Sequence, residues 1–86
     1  MNQSTTNQGL KLETPATYRI RVQGHLDSSW SDRLGGMAIT QIIAEDKTKA
    51  TILVGHLRDQ AALAGVLNAL YGLHMPLLSV ENLDEK

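Results

Sequence analysis

The chain has no cysteine and no phenylalanine among its 86 residues. Without cysteine, neither a disulfide framework nor a thiolate zinc site can compensate for the small core that so short a domain buries. Oligomerisation is the remaining common device for stabilising it. Without phenylalanine, stacking platforms for nucleic acid are poor. Eight basic and nine acidic residues leave a formal charge of −1, and no Lys/Arg block stands ready to neutralise phosphates. No apolar run approaches the roughly 20 residues that span a bilayer, and the N-terminal MNQSTTNQGLKLETPAT lacks the apolar stretch of a secretory signal. These absences lead us to expect a cytoplasmic domain with no nucleic-acid partner, no membrane partner and no cofactor.

What is present reads as one domain. Residues 1–15 are rich in Asn, Gln, Ser and Thr, with only Leu10 and Leu12 strongly apolar, and are expected to be a disordered N-terminal segment. A single α+β domain is expected over 16–83, and a solvated tail over 84–86. In TYRIRVQG, Tyr18, Ile20 and Val22 alternate with Arg19, Arg21 and Gln23, the pattern of a half-buried strand. MAITQIIAED (37–46) and KATILVGHL (49–57) are rich in β-branched residues and read as a hairpin. Asp59 is placed to cap a helix whose Leu63, Val66, Leu67 and Leu70 form one stripe, with Gly72 as its C-terminal cap and Pro76 beyond. PLLSVENL closes the chain as a strand, with Leu78 and Val80 on one face and Leu77 and Ser79 on the other.

GHLDSSWSDRLGG (24–36) holds the only tryptophan. It reads as a short helix capped by Asp27 or Ser28 and stopped by Gly35–Gly36. The order then matches a ferredoxin-like split βαβ fold (β-α-β-β-α-β), a four-stranded antiparallel sheet with a very short first helix. A three-stranded meander followed by a helix and a fourth strand is the competing topology. GHL recurs after the third strand, a weak hint of two related halves.

His25, His56 and His74, with Asp27, Asp32 and Asp59, invite a metal hypothesis. Their spacing argues against it, because His25 and His56 leave opposite ends of neighbouring antiparallel strands. No nucleophile elbow, P-loop or dinucleotide fingerprint is present, so we expect no catalytic residue. Trp30 reads foremost as a plug over the sheet, and otherwise as an interface anchor or a pocket wall. With Leu34 it would wall a cleft in which His25 and Asp27 supply polar groups. Arg19 and Arg21, on the outward face of the first strand, are candidates for meeting an acidic partner or anion.

With these stretches in view, the chain resembles a group of small, uncharacterised bacterial proteins that share the pattern R-V-x-G-x-L-D-x-x-W-S-D-x-x-G-G, then D-Q-A-A-L-x-G-x-L, then P-L-L-S-V. The resemblance covers about residues 18–80 and implies a free-standing cytoplasmic domain; it transfers no catalytic residues. Arg33 stands where the group often carries an aromatic, so a fully buried first helix is not expected. The leading functional expectation is a homo-oligomeric interaction or regulatory module, most simply a dimer formed through the sheet or the short helix, with a separate protein partner conceivable. The alternative is a small-molecule-binding protein or minor enzyme with its pocket between the sheet and the Trp30 segment.

Overall fold

A computed structural model describes residues 15–43 and 46–84. Apart from exposed Pro15, the segment expected to be disordered lies outside the described residues, as do the last two positions of the tail.

Along the chain come strand β1 (Ala16–Gln23), a 3-10 stub (Ser28–Arg33), β2 (Ala38–Ile43), β3 (Lys49–Leu57), helix α1 (Gln60–Gly72) and β4 (Leu77–Asn82). The strands form one sheet in the order β2-β3-β1-β4, and every neighbouring pair is antiparallel. β1 therefore pairs with β3 and β4 rather than with β2, which the meander alternative would require. The stub and α1 each lie in a connection between parallel, non-adjacent strands.

The two-residue alternation of β1 decides which side becomes the core. Tyr18, Ile20 and Val22 are buried, and register places Gly55, Leu53 and Thr51 of β3 directly opposite them. Leu34 and Met37 fill the same layer at zero exposure, and Val66 and Leu70 of α1 close it from above. The Tyr18 hydroxyl remains satisfied in this setting, because Gln60 Nε2 donates to it at 2.8 Å. Arg19 and Arg21 face the other side, beside Val54 and Ile52.

Helix α1 starts as its sequence dictates. Asp59 Oδ1 accepts from Ala62 N at 2.7 Å, satisfying one of the unpaired donors of the first turn. Its end corrects the sequence expectation. Gly72 is still helical, Leu73 is the C-cap, and the left-handed conformation falls on His74, at φ 60. The longer path lets Met75 N–H bond the Leu70 carbonyl at 3.3 Å and lays Met75 against the core.

A second correction concerns β4. Arg21 pairs with Ser79, but Val22 pairs with Leu77, so two β4 residues oppose one on β1. This bulge breaks the alternation and brings Leu77 to the helix side with Val80. Asp84, expected in the tail, also reaches back: its Oδ2 accepts from Thr17 N at 2.9 Å.

Candidate functional site

The Trp30 stub is positioned by a buried polar knot. Thr51, the one fully buried polar side chain among the described residues, accepts from Leu26 N at 3.1 Å and donates to the Gly24 carbonyl at 2.7 Å. Gln41 Oε1 lies 3.0 Å from the same hydroxyl, and Gln41 Nε2 donates to the Leu26 carbonyl. β2 and β3 are thereby tied to the exit of β1, which a β-branched Thr suits by packing like Val while carrying a hydroxyl. Asp27 then caps the stub, its Oδ1 accepting from Ser29 N at 3.3 Å. The stub is closed by Ser31, whose carbonyl accepts from Leu34 N and Gly36 N and whose Oγ donates to the Met37 carbonyl at 2.7 Å. Gly35 takes φ 69, as its place in the turn requires, and a Cβ there would stand 2.8 Å from Leu57 Cδ2.

Leu34 is core and Trp30 is half-buried against the core. The Arg33 guanidinium lies 5.1 Å from the Trp30 ring centroid, so an exposed cation covers the ring. His25 and Asp27 are exposed near the stub. The space beneath the stub is taken by Leu26, Leu34 and Met37, all buried. The stub thus seals more of the sheet than its length suggests, because Met37 and the Gly35–Gly36 turn contribute to the seal.

Arg19 and Arg21 belong to a different surface, the face of the sheet opposite α1. Arg19 Nε donates to Glu81 Oε1 at 2.7 Å, with both side chains partly exposed. This hydrogen bond, with the attraction between the charges, raises the Arg19 pKa. The same bond lowers that of Glu81, and the charges of Arg19 and Arg21 act in the same direction. The candidates therefore divide, with His25, Asp27 and Trp30 reaching the surface at the stub, the two arginines on the open face, and Leu34, expected as a cleft wall, buried in the core and open to no ligand. His25 and His56 are at opposite ends of the β1–β3 pair, since Gln23 aligns with Ala50 while Thr17 aligns with His56. Among the described residues no three His, Cys, Asp or Glu groups converge as a metal site, and no helix is long and apolar enough to cross a membrane.

Sequence reasoning missed a third surface, at the β4 edge and the C-terminal end of α1. Tyr71 is 83% exposed, Leu77 53% and Leu78 51%, with Val80 also exposed. A cavity of about 240 Å³ opens there, lined by Leu67, Asn68, Leu70, Tyr71, Met75 and Leu77. The run LLSV carried a signal of this, being an uncharged apolar strand at the end of the chain. Only the strand order reveals that it is an edge.

The chain belongs to a family described as a domain of unknown function (DUF8691), whose model matches residues 17–81. That match takes in β2, β3 and α1 whole and all but the first residue of β1 and the last of β4, and its description carries no activity, substrate or partner. Neither a curated protein nor a solved structure matches the chain.

Proposed function

We propose that this protein is a small, cytoplasmic homo-oligomeric interaction or regulatory module without catalysis of its own, built as a dimer on a ferredoxin-like split βαβ frame. The strand order and the two crossovers support that frame. The observation that carries the functional reading is the cluster of outward apolar side chains at Tyr71, Leu77, Leu78 and Val80. Contiguous apolar surface of this kind marks association sites on small proteins. Covering it contributes about 25 cal/mol per Å², which helps a domain too short to bury a large core. The stub end of the sheet needs no such cover, because Leu26, Leu34 and Met37 already fill it.

The small-molecule alternative, with a pocket under Trp30, gains no support from that filled space. The cavity between α1 and β4 is smaller than the roughly 300–1,000 Å³ of usual ligand pockets. Sedimentation velocity across micromolar concentrations tests the reading: a concentration-dependent dimer is expected, and a folded monomer throughout overturns it. A specific Trp30 fluorescence change or thermal shift in a metabolite screen of that monomer would instead favour the ligand-binding alternative.

A further inference from the structure

We infer that the partner at the β4 edge is a second copy of this chain, paired strand to strand about a two-fold axis at Val80 to give a continuous eight-stranded sheet. This rests on the self-association proposed above and specifies where it occurs. β4 is an edge strand with β1 on one side only. Leu83 N donates to the Thr17 carbonyl at 2.8 Å, so Thr17 and Leu83 form a hydrogen-bonded pair in the β1–β4 ladder. Antiparallel pairs alternate, and the continuous register from Tyr18–Asn82 to Arg21–Ser79 carries that alternation along the strand. Glu81 and Ser79 consequently turn their backbone groups towards β1, while Val80 and Asn82 turn theirs outward. An outward row of N–H and C=O groups beside apolar side chains is a template for another strand.

The register follows from the side chains. With Val80 opposite its own copy, Asn82 faces Leu78 and Glu81 faces Ser79, each twice by symmetry. Ser79 Oγ is buried and has no hydrogen-bond partner among the described residues. Rotation about χ1 presents it to the carboxylate of Glu81 on the second copy, whose Oε1 is held by Arg19. Glu81 and Ser79 share the face of Arg19 and Arg21, so each carboxylate would sit between Arg19 of its own chain and the Ser79–Arg21 pair of the other. Moving the axis to Glu81 sets two Glu81 side chains against each other, and moving it to Ser79 sets Glu81 against Leu77. The β2 edge offers less, with Ile43 as its one large exposed apolar residue.

The chain has no cysteine, so one introduced thiol reports one contact. Directly opposed residues of a hydrogen-bonded pair lie about 5.5 Å apart at Cα, within disulfide reach. Under mild oxidation Val80→Cys should give a covalent dimer on a non-reducing gel, while Ile43→Cys on the β2 edge should not. Ser79→Ala should weaken the wild-type dimer by about a hundredfold or more in sedimentation, through loss of two symmetric hydrogen bonds to charged groups. Val80→Pro, which removes an outward N–H but no β1 ladder bond, should shift the protein to monomer with its circular dichroism retained. If the wild type dimerises but Val80→Cys does not crosslink, or Ile43→Cys does so in its place, the β4 edge is overturned while self-association stands. If the wild type is monomeric, both fall.

Discussion

Gly55 lies directly beneath Met37. A Cβ built on Gly55 would stand 2.9 Å from Met37 Cγ and 3.0 Å from Met37 Cα. Met37 has zero exposure and Gly55 faces Tyr18 across the sheet, so the missing side chain is what lets the segment after the stub descend onto β3. Gly55→Ala should therefore destabilise the fold by about 1–3 kcal/mol, as overpacking does, even though glycine is a poor strand residue. Thermal unfolding checks this, with a fall of roughly 4–8 °C per kcal/mol expected at this size. Gly72→Ala serves as the control: nothing lies within 4 Å of its Cβ position, and it should be neutral or slightly stabilising.

Thr51→Val keeps the shape of a fully buried side chain and deletes the hydroxyl that meets Gly24, Leu26 and Gln41. The Leu26 N–H loses its Thr51 acceptor, at a cost of about 1–3 kcal/mol. Chemical denaturation should register that loss, and the fluorescence of Trp30 should change with it because the knot seats the stub. Unchanged stability would show that the knot contributes nothing net.

Arg33→Ala removes the cation over the Trp30 ring. Both groups have solvent access, so the cost should stay within about 0.5–1 kcal/mol. The emission spectrum of the single tryptophan should respond more than the unfolding midpoint does.

The Arg19–Glu81 pair sets a pH dependence. The folded-state pKa of Glu81 is depressed, chiefly by the Arg19 hydrogen bond. A depressed carboxylate pKa contributes stability that is present above the unfolded value and is lost as pH falls through the folded one. Asp46 acts in the same sense, held low first by its hydrogen bonds with Thr48. Acid titration of stability should thus be shallower in Glu81→Gln than in the wild type. In Arg19→Gln, the Glu81 carboxyl resonance should titrate at higher pH.

Much of this frame was legible because its signals are local. The limits of β3, Lys49–Leu57, coincide with the β-branched run. The alternation of Tyr18, Ile20 and Val22 identifies the buried face of β1, and both aspartate caps, Asp27 and Asp59, accept from the backbone as expected. Less local features were hidden. The bulge at Leu77 arises from pairing with β1, and the left-handed turn at His74 accompanies the docking of Met75. Neither leaves a mark in residue spacing. In sequence Leu34 reads as a cleft wall beside Trp30, and the tertiary packing makes it core instead.

By itself the sequence determined which segments become strand or helix, and which side of β1 turns inward, because periodicity and capping act within a few residues. Only the tertiary structure decided that the stub end is sealed by Met37 over Gly55 and that the bare apolar surface lies at β4. Exposure depends on which strand ends the sheet and where α1 stops, and both are set by contacts between residues distant along the chain.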